Sequence, residues 1–556
     1  MRSLSVYRPE HRRSDSDFLG PLRPHITLAN VVGVTGAIVA FGLLIALPSQ
    51  PQPWNIRLPL YLIVTVWTML RPRTALYLLP FAVPWGSIDS MSIGSANVNS
   101  ADILVGLLAA AWLMSFVLPA AGYVMVTTPG PRDRGRQSVP WYLVLAILLL
   151  LFTMVLSVFV ATSLSDSLKE IVKWLEFLVI VLLGTQYIRT RRQVWIIVAM
   201  LLLGAISQAL FSYAQEYLHI GPLSFIRANS LRVSGTFGQP NPFAGYINIT
   251  LSIALALTLL GRNWKTRFLA GVALLPLAGA EYLTQSKGGW LAMSIAAIFI
   301  LIMGATYMRA FKPVLFAGLL GIIGLLFANG LLLANVIPIK IFSPILDFVG
   351  VTDLNLGAPT PQNYATAERV AHWITGIRMF LAHPWTGVGI GNYQDAYLHY
   401  YVTIFITPLG HAHNYYINVA AEMGIIGLLI YFVFLLALFV AGARAYSVIS
   451  KKYNQVRAAA QTSAQASPAG IVNRLWLMLN LFNTNYPQSG MAETLGKLTN
   501  DRALAIGIIA AFISISAHNM VDNLYVHSMT SLMALLLVVI IRLKDVAPAS
   551  SSNGGI

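Results

Sequence analysis

Residues His411 to Val440 read "HAHNYYINVAAEMGIIGLLIYFVFLLALFV". From Ile417 onward the stretch is apolar enough, and long enough, to cross a hydrocarbon layer as a helix, yet its first four residues hold two histidines and an asparagine. Unpaired polar groups are costly inside a bilayer, so these side chains belong at the water boundary, where a membrane helix begins. That places chemistry at the mouth of a span.

The same apolar texture recurs along the chain. Of 556 residues, 57% are hydrophobic and 10% charged, and no long polar block could fold apart in water. Apolar segments fall at 26–47, 56–70, 73–85, 101–126, 140–161, 168–187, 193–217, 243–260, 266–283, 289–307, 313–335, 414–440, 503–522 and 524–542, the second and third of them short. The expected fold is an all-α polytopic membrane protein of about 14 transmembrane helices (12–14), with a large extracytoplasmic loop subdomain containing amphipathic helices. The segment 26–47 lacks an A-x-A cleavage site and reads as an anchor. With no cysteine, disulfides, thiolate metal sites and a cysteine nucleophile are excluded.

Charge sets the orientation. Alternate connections, beginning with the N-terminal arm, hold 27 of the 36 lysines and arginines. By the positive-inside rule these are cytoplasmic, as are both termini. The net charge of +16 reflects this topology and attraction to anionic lipid, not nucleic-acid binding. The resulting division is a cytoplasmic arm (1–25), N-terminal helices (26–187), core helices with short extracytoplasmic cationic connections (188–335), an extracytoplasmic catalytic loop (336–412), a span (413–440), a cytoplasmic loop (441–502), two last spans (503–543) and a tail (544–556). In the cytoplasmic loop, "RAAAQTSAQASPAG" reads as a flexible linker and "RLWLMLNLF" as a short interfacial helix or plain solvated loop.

The nine remaining cations lie outside or at that boundary: Arg57, Lys169, Lys173, Arg227, Arg232, Lys287, Lys340, Arg369 and Arg378. Arg232 and Lys287 sit in short glycine-bearing segments next to spans, where a bound anion gives them a purpose. Arg227, Lys340 and Arg378 read instead as locally paired or snorkelling. In the long loop, Val370, Trp373, Ile374, Ile377 and Leu381 fall at helical spacing, with Arg369 and His372 on another face. After them Gly387, Gly389 and Gly391 form either a tight turn or a phosphate cradle. An anion waiting at the outer boundary of a protein embedded in lipid suits a lipid-linked phosphate, and a near-neutral imidazole can take a proton from an attacking hydroxyl. His411 and His413 at i and i+2, with no evident third ligand, argue against a metal.

These residues resemble the O-antigen ligase and Wzy-type polymerase superfamily of bacterial surface-polysaccharide enzymes. Its signature is matched by His413, Asn414, the nine residues Tyr415 to Met423, Gly424 and then Gly427. "RVSGTFGQPNPFAGY" (232–246), "TQSKGGWLAM" (284–293), "ERVAHWITGIRMFLAHPWTGVGIGNY" (368–393) and "SAHNMVDNLY" (516–525) follow in family order. Residues from about 190 to 540 carry the resemblance; the first 190 match only in hydropathy.

The resemblance implies a fold like that of other membrane-embedded (GT-C) glycosyltransferases. It also implies transfer of a glycan from a polyprenyl-diphosphate-linked donor to a glycan, lipid or cell-wall acceptor, on the outer face of the cytoplasmic (inner) membrane, with no cofactor, metal or nucleotide sugar. His413 is then the catalytic base, and Arg232, Lys287 and Arg369 bind the diphosphate. Asn414, either orienting the imidazole or capping its helix, and His411, a loop neighbour, are supporting, and Asp522 with His518 either supports the site or is interhelical packing glue. Many members carry arginine where this chain has Lys287, which keeps the charge but loses the bidentate fork. Glu422 reads as a satisfied helix residue. A flippase for the same lipid-linked glycan, or a protein O-oligosaccharyltransferase, is the alternative.

Overall fold

The computed structural model describes residues 54–88, 90–93, 96–120, 139–227, 230–305, 355–360, 363–402, 404–465 and 489–548. Helices occupy every expected span within them; those at 26–47 and 313–335 lie outside, as do Lys340 and the "RLWLMLNLF" segment. In chain order they are α1 (Trp54–Leu70), α2 (Arg73–Trp85), α3 (Ser100–Ala120), α4 (Trp141–Ser157), α5 (Leu164–Tyr187), α6 (Arg191–Leu218), α7 (Pro240–Leu260), α8 (Trp264–Thr284), α9 (Lys287–Ala305), α10 (Tyr364–Ala382), the short α11 (Tyr393–Ala396), α12 (Tyr415–Gln465), α13 (Ser489–His518) and α14 (Met529–Val546). Two small antiparallel hairpins pair Ser90–Ile93 with Ala96–Asn99 and Ile226–Arg227 with Ser230–Leu231. Among the described residues, six helices are long and apolar enough to cross a membrane. This is an all-α membrane protein, whose outward-facing apolar side chains, such as Phe152, Leu210 and Leu275, suit a lipid surround.

Helix starts follow local chemistry. Ser163 caps α5 by accepting from the Asp166 amide, Thr190 and Gln193 form a capping box on α6, and Pro240 opens α7, where its missing N–H leaves nothing unpaired. At the far end, Asp501 of α13 takes two nitrogens of Arg191 at 2.7–3.0 Å and the Trp195 indole at 3.0 Å, clamping α6 to α13. The centre is α14, apolar on all sides and buried from Met529 to Leu543, as expected of a helix surrounded by other helices. It packs against α2, α5, α6, α12 and α13. Buried Arg542 donates to the Ile188 carbonyl at 2.6 Å and pairs with Asp545 at 3.0 Å.

Three sequence readings change. The span expected over 413–440 continues as helix to Gln465, and α13 begins at Ser489 rather than near 503, so much of the expected linker is helical. The apolar stripe read on α10 is split: Val370, Trp373 and Ile374 are half-buried and Ile377 and Leu381 exposed, while Ala367, Ala371, His372, Thr375, Gly376 and Met379 are buried. Small residues win that face because α10 lies close against α12; a Cβ at Gly376 would come within 2.6 Å of Ile417. Thirdly, α12 is broken at Gly424, where φ is 65° and ψ −165°.

The break has a full hydrogen-bond account. The loop after α10 inserts beside it: Val388 N–H donates to the Ala421 carbonyl (2.9 Å), Gly389 N–H to the Glu422 carbonyl (3.0 Å), and Ile425 N–H to the Pro384 carbonyl (2.8 Å). Gly387, Gly389 and Gly391 all have positive φ, and a Cβ at Gly387 would meet the Glu422 backbone at 2.2 Å. Their loop is a tight turn and joint, with these amides spent on helix carbonyls, not a phosphate cradle.

Candidate functional site

The mouth of α12 is built where three stretches meet. Asn414 accepts from the amides of Tyr416 (3.0 Å) and Ile417 (3.1 Å), which is the capping reading, and its own amide donates to the Met520 carbonyl at 2.8 Å. The Tyr415 amide donates to the carbonyls of Asn519 (2.8 Å) and Asp522 (3.2 Å). The start of α12 is thereby laced to the α13–α14 connection. His413, just before the cap, takes the left-handed conformation at φ 50°, unusual for a residue with a side chain, and Trp373 of α10 holds its carbonyl through the indole N–H at 3.0 Å.

That geometry turns the His413 ring toward Asp522, with Nδ1 3.4 Å from Oδ1. Asp522 is buried; its Oδ1 accepts the Asn523 amide at 2.8 Å and its Oδ2 the Asn241 side-chain amide at 2.7 Å. Burial alone would raise its pKa, but the hydrogen bond and charge of His413, with His411 and His518 nearby, hold it well below the usual carboxylate range. A carboxylate on Nδ1 leaves Nε2 as the nitrogen free to accept a proton.

A polar chain continues from there. Asn241, on the first turn of α7, accepts from a terminal nitrogen of Arg232 at 3.4 Å, and Arg232 Nε donates to the Thr284 carbonyl at 3.1 Å. Thr284 ends α8, and Lys287 opens α9 three residues later. The turn also lies against α13: a Cβ at Gly288 would sit 3.1 Å from the His518 ring and 2.7 Å from Val521. Residues separated by up to 290 positions, Arg232 to Asp522, thus form one cluster with His413. Arg369 on α10 lies near enough for its charge to bear on His411.

His411 adjoins His413, their ring centroids 4.4 Å apart, and its Nδ1 accepts the His413 amide at 3.1 Å. Burial first, then the neighbouring imidazole, pushes its pKa down to about 4. A third potential donor, not evident in the sequence, stands beside the two histidines: His411, His413 and Asp522 each offer a donor atom within 4.8 Å of one another. His518 is buried behind Asp522, with Nδ1 lacking a hydrogen-bond partner. Glu422 is satisfied, as its position suggests, by the Tyr393 amide at 3.2 Å. Arg378 is held by the carbonyls of Tyr400 (3.2 Å) and Tyr401 (2.9 Å), away from this cluster.

One residue escaped the sequence reading, and one of the nine minority cations gains a place that the sequence did not show. Asn241 lies between Pro240 and Pro242, where an asparagine reads as part of a helix start. Lys173, in the first half of α5, pairs with Glu170 at 2.5 Å and adds its charge beside His411.

Residues 272–432 match the sequence model of a family described as O-antigen ligase. The match takes in Lys287, Arg369, His411, His413, Asn414 and the broken start of α12, so the resemblance carried by the His413–Gly424–Gly427 spacing holds over that stretch. Arg232, Asn241 and Asp522 lie outside it. No curated protein matches the chain.

Proposed function

We propose that the protein transfers a glycan from a polyprenyl-diphosphate-linked donor to an acceptor hydroxyl on the outer face of the cytoplasmic membrane, in the assembly of a surface polysaccharide. The observation that carries this is the continuous polar chain from the His413–Asp522 pair through Asn241 to Arg232, joined to a family match that takes in His413 and the start of α12.

Asp522 accepts the proton-bearing Nδ1 of His413 and holds the ring in the tautomer whose Nε2 is a base. As the acceptor oxygen bonds to the sugar's anomeric carbon, its proton passes to Nε2 and the bond to the diphosphate breaks. Arg232, Lys287 and Arg369 take up the negative charge that grows on the leaving diphosphate. The chemistry needs no metal or nucleotide sugar. The lipid tail stays among the helices while its head reaches the α12 mouth, which explains why imidazoles border an apolar span.

The test is transfer from a polyprenyl-diphosphate glycan by purified protein in EDTA. Transfer lost in His413→Ala, with donor still bound, supports the reading; equal activity in both proteins sinks it. A flippase would instead fail to present donor at the outer face in that variant while forming no glycosidic bond even as wild type. Deletion of the gene then separates polymerase from ligase: short unpolymerised glycan marks the first, unattached long polymer the second, and an unglycosylated protein acceptor marks an O-oligosaccharyltransferase.

A further inference from the structure

We propose that His411, His413 and Asp522 form a binding site for a divalent transition metal of the zinc class, and that the bound ion switches the base off. The binding part stands on geometry; the switching part rests on the role given to His413 above.

The donor set is two imidazoles and one carboxylate, the hard-to-borderline mixture that suits Zn²⁺ or Co²⁺ in a chain without thiolates. For a tetrahedral ion with bonds of about 2.1 Å, neighbouring donor atoms stand about 3.4 Å apart. His413 Nδ1 and Asp522 Oδ1 are 3.4 Å apart, long for a charge-assisted hydrogen bond but matching the edge of that tetrahedron. The third donor, on His411, is within 4.8 Å of the other two. Closing the set to bonding distance requires the His411 ring to move, giving up the hydrogen bond that its Nδ1 accepts from the His413 amide if Nδ1 is the ligand.

The surroundings are those of a supported ligand set. Asn241 fixes the carboxylate through the oxygen not facing His413, and Trp373 and the Asn414 cap fix the backbone of His413. Three protein ligands leave a fourth position open to water or another oxygen.

Binding changes the proton inventory of one ring. A cation on His413 Nδ1 displaces the proton there, and a neutral imidazole then carries its one proton on Nε2. That is the atom that must receive the acceptor's proton, so the metal-bound ring has no lone pair to offer. The ion inhibits without blocking the anion site at Arg232.

The experiment uses full-length protein carrying no histidine tag, stripped with EDTA and titrated with Co²⁺, whose visible bands report tetrahedral coordination, then with Zn²⁺ in competition. One Co²⁺ per chain is expected. Affinity should fall about tenfold or more in His411→Ala and in Asp522→Asn. It should persist when the exposed His383 and His399 are both replaced by alanine. Stoichiometric Zn²⁺ should suppress wild-type transfer, EDTA should restore it, and whatever activity His411→Ala retains should resist the same Zn²⁺. Absence of stoichiometric Co²⁺ binding, equal binding in His411→Ala, or binding without inhibition each overturns the proposal. An EDTA-treated wild type that transfers nothing would instead overturn the metal-free mechanism, which is a separate failure.

Discussion

At the scale of single residues, the proposed mechanism gives the two neighbouring histidines different roles, because Asp522 stands on the His413 ring. Positioned general bases contribute about 10²–10⁴-fold, so His413→Ala should lower glycan transfer by that order while leaving membrane insertion and donor binding intact; His411→Ala, assayed beside it in EDTA, should cost much less. Equal losses would make the pair a single unit. On the anion side, Arg232→Ala should weaken donor binding, whereas Lys287→Arg should be tolerated because the charge is kept. Donor affinity measured by lipid-linked glycan titration checks both, and unchanged affinity in folded Arg232→Ala counts against its assignment. His413 and Arg232 stand out as candidates in the sequence because each is a polar group stranded beside an apolar run. The third metal donor does not, since Asp522 is 109 positions from His413 and only folding brings them together. Lys173 stood out as a minority cation, but its place beside His411 was not legible, since with Glu170 it looks like an ordinary i,i+3 pair on a helix surface.

At the scale of elements, α10 and the start of α12 decide how firmly the mouth is held. His372 is buried in α10, with Nδ1 3.2 Å from the Tyr393 hydroxyl and its ring stacked on Tyr397. Burial, then the charges of His413 and His411, push its pKa down to about 4. The sign follows from linkage: a histidine whose folded pKa is depressed gives full stability above about 6.5 and loses it as pH falls toward about 4, because the unfolded chain takes the proton first. The loss is on the order of 3 kcal/mol, and thermal melting from pH 7 to pH 4 should show it in wild type and much less in His372→Gln. The Gly424 break makes a second prediction. A Cβ there would meet the Trp385 backbone at 2.4 Å in a left-handed conformation, so Gly424→Ala should lower the melting temperature and detach the 384–389 loop, read as faster amide exchange at Val388 and Gly389. The spacing from His413 to Gly424 was legible as a pattern; its cause was not, because a lone glycine in an apolar helix gives no sign that another loop enters beside it. The buried face of α10 was not legible for a related reason. Hydropathy favours Ile377 and Leu381, while close helix approach favours alanine and glycine.

At the scale of the whole molecule, the helical class and most span positions follow from apolar length, since the backbone has few other ways to satisfy itself in lipid. Orientation rests on charge and is open to direct measurement. Cysteines placed singly at Ser95, Gly357 and Ser463 in this cysteine-free chain should react with an impermeant thiol reagent in intact cells at 95 and 357, and be protected at 463. The reverse pattern would invert the protein. The interrupted α12 bears on how such a molecule lives in membranes of unequal thickness. A continuous rod that tilts to match a thinner bilayer would swing its outer end sideways and carry His413 away from Asp522. Here the rod stops at Gly424, and the nine residues above it are tied to the loop and to the α13–α14 connection instead. Tilt below the break is therefore absorbed before it reaches the His413–Asp522 pair. Reconstituted into vesicles of shorter and longer acyl chains, the wild type should keep a nearly level turnover, and a variant with the break filled should become sensitive to its lipid.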